Sequence, residues 1–439
     1  MNPRALTLQY LSWCPGVKAA SQFLPDREIP STQVAMMLAL ASMISLSGYY
    51  ITNMALSTVG FPSYGDISIT YDNPILAVRG NEIYLAVIVN IGDTLDFGTR
   101  YTLCLAKMSL ESGVSDVFKL VDTPLLLNYD MLVTKDGRFY LAYTQNALAE
   151  LPKKLIVLES NDGRDWDESV LVFSDYLCEH SLTETKDGRP FLFIYSIERL
   201  EQSGDVHSPE HKYSFSTYSG DEWAPFEECP YGFWFTRFSS ATDRDENIRI
   251  AGLNETYIQD SWDYDDAYMI TGLDENGEWM EPRTLKIGDI TNVEFREPDL
   301  LYSTKRDGFY FAFVSYALIS PSSTRYTVHI RFSRDLVDWD DVVALQPGSD
   351  PSMVELPDGT IVTAFKNEHS AQEIHFSKSL DGVNWTKPQK VEDIPLDDIL
   401  GKVVSWRRNL LSSFSGASIG IYTFIALVKK TSKPLFKQR

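Results

Sequence analysis

"LIVLESNDGRDWDESVLVF", Leu155–Phe173, alternates apolar residues on both sides of an Asp162-Gly163 turn, with Trp166 just past it. That pattern is a β-hairpin: period-two alternation marks half-buried strands, and Asp-Gly supplies the positive φ that a tight turn needs. Its centre returns twice. Ser160-x-Asp162-Gly163-x-x-Trp166 is matched by Ser379-x-Asp381-Gly382-x-x-Trp385, and by Ser333-x-Asp335-Leu336-x-x-Trp339 with Leu in place of Gly.

Working outward, each Trp-marked turn is preceded by a second hairpin with its own turn. These earlier turns fall at Gly80-Asn81, Asp136-Gly137, Asp187-Gly188, Glu246-Asn247, Asp307-Gly308 and Asp358-Gly359. The step from Asp136 to Asp187 is 51 residues, and the step from Asp307 to Asp358 is 51 again. Worn versions of the Trp turn lie at Ser109–Phe118, Ser219–Trp223 and Leu273–Trp279. Six units of four short strands therefore cover residues 68–392. A period of this size belongs to repeat architectures, and the regular strand alternation speaks against a solenoid. The expected fold is all-β, a six-bladed β-propeller with four-stranded antiparallel blades over 66–392. The Ser, Asp and Trp of the turns are scaffold in this reading, with Trp packing between sheets.

The ends differ from this body. Residues 1–30 form a short tail, and 31–65 carry no charge at all, with Val34–Ile51 strongly apolar. About 18–20 such residues span a bilayer as a helix, so an N-terminal hydrophobic anchor is expected, with a buried core helix as the alternative. Within 393–439, Asn409–Val428 is a candidate C-terminal membrane helix or a buried strand, followed by a basic tail. If both segments span, positive-inside bias places the basic tails in the cytoplasm. The acidic propeller then faces the outside of the cell membrane. A net charge of -22 argues against nucleic acid, which demands a basic surface. The four cysteines show no zinc spacing, and a Cys178–Cys229 bridge is conceivable.

In a propeller the first strands ring a central channel. The residues ahead of them are Asp72, Asp130, Glu179 with His180, Arg237, Arg296 with Glu297, and Asp350. Crowded carboxyl groups push their pKa values apart, as general acid and base chemistry requires. Arginines suit a carboxylate-bearing ligand. An acidic ring also suits a calcium ion, and the same charges could instead hold blades together.

The Ser-x-Asp-Gly-x-x-Trp repeat resembles the Asp-box of the sialidase superfamily, and Phe295-Arg296-Glu297-Pro298 resembles its Phe-Arg-Ile-Pro signature. That resemblance implies a six-bladed propeller acting on sialylated carbohydrate, with Arg296 and Arg237 gripping a carboxylate and a Tyr such as Tyr129 or Tyr264 at the reacting centre. A second resemblance rests on "FSRDLVDW" (Phe332–Trp339) and "DPSMVELPDG" (Asp350–Gly359), which look like blades of five-bladed arabinan- and xylan-cleaving glycosidases. It implies that Asp72, Asp130 and Glu179 cooperate in catalysis. The combined expectation is an exo-glycosidase of the cell surface, Glu297 adding a further carboxylate and His180 and Asp350 contacting substrate. The alternative is a propeller that binds glycan or protein without turning it over.

Overall fold

The computed structural model describes residues 67–93, 100–111, 113–123, 126–145, 153–173, 176–197, 211–231, 235–254, 268–286, 298–320, 323–345, 347–367 and 373–391. The expected segments Val34–Ile51 and Asn409–Val428 lie outside them, as do Tyr264, Arg296 and Glu297.

The described residues form six sheets of four antiparallel strands, each sheet a simple meander of consecutive strands. Blade 1 is β1 (Ile67–Arg79), β2 (Glu82–Asp93), β3 (Arg100–Ser109) and β4 (Gly113–Thr123). Blade 2 is β5 (Leu126–Val133), β6 (Phe139–Gln145), β7 (Lys153–Ser160) and β8 (Asp167–Phe173). Blade 3 is β9 (Tyr176–Glu184), β10 (Pro190–Ile197), β11 (His211–Thr217) and β12 (Glu227–Glu228). Blade 4 is β13 (Phe235–Thr242), β14 (Ile248–Asn254), β15 (Tyr268–Leu273) and β16 (Trp279–Leu285). Blade 5 is β17 (Asp299–Ser303), β18 (Gly308–Ser320), β19 (Ser323–Ser333) and β20 (Val343–Ala344). Blade 6 is β21 (Gly348–Glu355), β22 (Ile361–Asn367), β23 (Ile374–Ser379) and β24 (Gln389–Lys390). This is the six-bladed propeller that the repeat implies.

The second strand of each blade is covered by a neighbouring sheet on either side, so its sequence drops the alternation and reads as a continuous apolar run. Phe191–Tyr195 and Phe309–Val314 are buried throughout. The core is accordingly a set of inter-blade layers, not one central nucleus. Tyr84 meets Phe139 edge-on at 4.7 Å between blades 1 and 2, Phe193 meets Phe238 at 5.0 Å between blades 3 and 4, and Tyr268 meets Phe311 at 5.1 Å between blades 4 and 5. Such pairs add about 0.5–1.5 kcal/mol beyond area burial. Trp166, Trp223, Trp279, Trp339 and Trp385 each pack against one of these layers.

The repeated turns join the third and fourth strands of blades 2, 5 and 6. In each, the Ser hydroxyl accepts the amide three residues on, at 2.8–2.9 Å (Gly163, Leu336, Gly382). The Asp carboxylate accepts the next two amides, which holds Asp162, Asp335 and Asp381 below the usual carboxylate range. Leu336 adopts φ 61 in the place of Gly and is buried in the layer between blades 4 and 5. Three first-hairpin turns depart from the Asp-Gly expectation, the Gly80-Asn81 turn carrying its positive φ on Gly80. Positive φ falls on Glu246 and on Asp307, not on the following residue. Gly308 is required for space instead: a Cβ there would sit 2.6 Å from the Phe332 ring and 2.7 Å from the Ser333 carbonyl oxygen. Cys229 carries a free thiol in place of the bridge to Cys178.

Candidate functional site

Six residues, one per blade, line both cavities of the channel: Ile75, Asp130, Ser181, Ser239, Asp299 and Ser352. They form its waist. A shared bonding pattern fixes their register, because the side chain at the waist accepts the amide of the residue after the waist position in the next blade. Asp130 accepts Leu182 N–H at 2.6 Å, Ser239 accepts Leu300 N–H at 3.1 Å and Asp299 accepts Met353 N–H at 2.5 Å. Ser352 accepts Leu76 N–H at 3.0 Å, which closes the ring from blade 6 back to blade 1.

Blades 2 and 5 are diametrically opposed in a ring of six, so Asp130 and Asp299 line opposite sides of the waist. Burial raises both carboxyl pKa values, Asp130 to about 6 and Asp299 to about 7. Charge on Asp130 pushes Asp299 further up, while the Met353 amide and the Ser239 hydroxyl (3.0 Å) pull it down. Burial thus biases both carboxyl groups toward the protonated form.

Two residues earlier lies the mouth ring, where Asn73, Asn128, Glu179, Arg237 and Asp350 line a small cavity of about 80 Å³. Its backbone is bulged: the β1, β13 and β21 registers shift across residues 73–74, 237–238 and 350–351. Asn73, Arg237 and Asp350 sit there at φ 47, 48 and 53. Bulges of this kind re-aim side chains and recur beside functional sites. The Glu179 carboxylate accepts the amide of Arg237, and the Arg237 side chain is exposed.

The expected site residues thus separate by level. Glu179, Arg237 and Asp350 share the mouth. Asp130 lies at the waist, two positions further in than the sequence alignment of units implied. Asp72 stands one position outside the ring and pairs with Lys366 of blade 6. Tyr129 is 3% exposed and donates its hydroxyl to the carbonyls of Asn73 and Ala86 (3.1 Å for the latter), so its oxygen is turned into the blade 1 boundary. His180 is also buried, its Nε2 3.1 Å from the Ala142 carbonyl, and burial lowers its pKa to about 4. Sequence reading missed Asp299 and the serines of the waist. Among the described residues, no three or more His, Cys, Asp or Glu side chains are gathered as a metal ion would need.

The other end of the channel is wider. A cavity of about 540 Å³ opens beyond the waist between the far ends of β5, β9, β13 and β17.

No protein-family model and no curated protein matches the chain. Among solved structures it is similar to a protein of unknown function from Dyadobacter fermentans, at 12% identity and a TM-score of 0.50, over 68% of this chain and 90% of that one. It is also similar to the α-L-arabinanase of Penicillium chrysogenum complexed with arabinobiose, at 11% identity and a TM-score of 0.47, over 72% of this chain and 94% of that one. The α-L-arabinofuranosidase of Fusarium graminearum with an iminosugar inhibitor gives 12% identity and a TM-score of 0.42, over 62% and 82%. At these identities the likeness is one of fold.

Proposed function

We propose that the protein acts on carbohydrate at the mouth of its channel, by exo-acting glycoside hydrolysis. Cleaving a glycosidic bond needs one carboxyl group that stays protonated and a second that is ionised. The observation that carries the reading is the Asp130–Asp299 pair, two buried carboxyl groups with raised pKa values that line the same cavity as Glu179. Asp299 is assigned the proton donor and Glu179 the ionised partner. Exposed Arg237 is the group that would favour an acidic sugar, as sialidase-type specificity requires. The apolar stretches Val34–Ile51 and Asn409–Val428 would anchor the propeller on the outer face of the cell membrane, and alkaline extraction of membranes tests that.

A second reading, recognition without turnover, is favoured by one feature. Asp130, Glu179 and Asp299 each accept an amide from the next blade, which is a structural duty. Screening chromogenic glycosides with the full chain separates the two. Hydrolysis predicts turnover that falls by roughly 10²–10⁴ in Asp299→Asn and in Glu179→Gln. Saturable sugar binding with no turnover of any glycoside leaves recognition as the function.

A further inference from the structure

The wide cavity beyond the waist shares only its floor, Asp130 and Asp299, with the proposed chemistry, and its wall has a chemistry of its own. The inner strands of blades 3 and 4 meet there through paired hydroxyls. Ser181 Oγ lies 2.7 Å from Ser240 Oγ, and Thr183 Oγ1 lies 3.1 Å from Thr242 Oγ1. The Thr242 hydroxyl also donates to the Glu184 carbonyl, and since each hydroxyl has one donor and two acceptor sites, the pairs keep acceptor capacity. Thr304 of blade 5 adds another hydroxyl to the lining, and Leu132, Leu301 and Met353 add apolar surface.

Three of the five ionic groups around the rim are paired within the protein, and a fourth, the Glu184 carboxylate, accepts the Lys135 amide at 2.9 Å. Arg244 pairs with Asp307 at 3.3 Å, Glu246 pairs with Lys186, and Asp243 pairs with Arg249 at 3.1 Å. Matched rim charges select weakly for an ion. A wall of hydroxyls beside apolar patches complements a ligand that carries many hydroxyls on an apolar ring face. The volume of about 540 Å³ falls in the range of ordinary small-molecule sites, about 300–1,000 Å³.

We infer that this wide end of the channel is a second binding site, for a neutral sugar of one or two rings, separate from the mouth and independent of any hydrolysis there. The ligand enters from the face opposite Arg237 and lies against the Ser181–Ser240 and Thr183–Thr242 pairs, with the waist as its floor.

The test titrates the full chain with glucose, maltose, cellobiose and, as the charged counterpart, glucuronate. Calorimetry is combined with hydrogen–deuterium exchange of residues 240–244. Saturable binding of a neutral sugar is expected, with slower exchange in that segment of the wild-type protein. Thr242→Trp and Ser240→Leu, which fill the cavity, should weaken binding by roughly tenfold or more. Arg237→Ala, at the mouth, should leave it intact. The exchange readout needs no variant, so it decides the matter even if a filled cavity prevents folding. The inference is overturned if no neutral sugar binds, if glucuronate slows exchange at 240–244 more than the neutral sugars do, or if sugar binding leaves exchange at 240–244 unchanged. It is equally overturned if Arg237→Ala abolishes the binding that the cavity-filling variants retain.

Discussion

Asp72 in the first blade is ion-paired with Lys366 in the last, and both side chains are largely withdrawn from water. Each sheet is made of four consecutive strands, so among the described residues no strand is exchanged to lock blade 6 onto blade 1. Among the described residues, closure includes this pair and the hydrogen bond from the Leu76 amide to the Ser352 hydroxyl. Asp72 is therefore read as a clasp, not as the catalytic carboxylate that its sequence position suggested. Lys366→Met strands a half-buried carboxylate and should destabilise the protein by about 1–3 kcal/mol. Adding Asp72→Asn should recover part of that loss. Denaturant unfolding of the two single variants and the double variant checks the coupling, and additive losses would show that the pair does not act as a unit.

The opposed carboxyls predict a distinctive response to pH. Asp299 has a folded pKa of about 7 and Asp130 of about 6, both above the value near 4 of an unfolded aspartate. A raised carboxyl pKa means that the folded state binds the extra proton. Its contribution is full below pH 4 and is lost as pH rises toward 7. Buried His180 and His329, both lowered to about 4, act in the opposite sense and lose their contribution as pH falls below 6.5. The comparison must therefore be made against a variant. Asp299→Asn should gain on the parent by about 1.4 kcal/mol per pH unit across the window from about 4 to about 7, reaching a few kcal/mol. A stability difference that does not change with pH would mean that Asp299 is ionised throughout.

Why the sequence revealed the blades but misplaced part of the site comes down to register. Alternation, Asp-Gly turns and the Trp-marked turns are local signals, and the six units they define are the six blades. The waist is set by pairing across blades, which local patterns do not encode. Counting back from the first-hairpin turn finds Asp130 six residues before Asp136, but Asp299 is eight residues before Asp307. The reason is physical. From the waist pair to the last pair of the hairpin, blade 2 takes three steps, from Asp130–Ala142 to Val133–Phe139. Blade 5 takes four, from Asp299–Ala312 to Ser303–Gly308, and then one more residue to reach its aspartate. The bulges at residues 73–74, 237–238 and 350–351 shift the count again on the other side of the waist.

The repeated turns predict a contrast between two glycines in equivalent positions. Gly163 and Gly382 both have left-handed backbones, at φ 76 and 69. A Cβ on Gly163 would meet Leu105 and Phe139 at ordinary contact distances of 3.5–3.6 Å. A Cβ on Gly382 would sit 1.8 Å from the Tyr310 hydroxyl and 2.4 Å from Arg306, which bonds both Tyr310 and the Asp381 carbonyl. Gly163→Ala should cost only the left-handed strain, about 1–2 kcal/mol. Gly382→Ala adds an overpacking cost of about 1–3 kcal/mol. Thermal or denaturant unfolding ranks the two, and equal losses would show that strain alone governs these turns.

Arg237 ties the fold to the function. Its backbone is left-handed at φ 48, its amide is bonded to the Glu179 carboxylate, and its side chain is exposed at the mouth. Glycine keeps the amide and removes the Cβ that makes this conformation costly for other residues. Arg237→Gly should therefore leave the protein as stable or stabilise it by about 0.5–1 kcal/mol, whereas most substitutions destabilise. Binding or turnover of an acidic sugar at the mouth should fall in the same variant, since the guanidinium is gone. Unfolding measurements and ligand titration on one preparation read both effects. A less stable protein would show that the arginine side chain holds the bulge in place, and that its conformation is a product of packing and not a strain kept for the site.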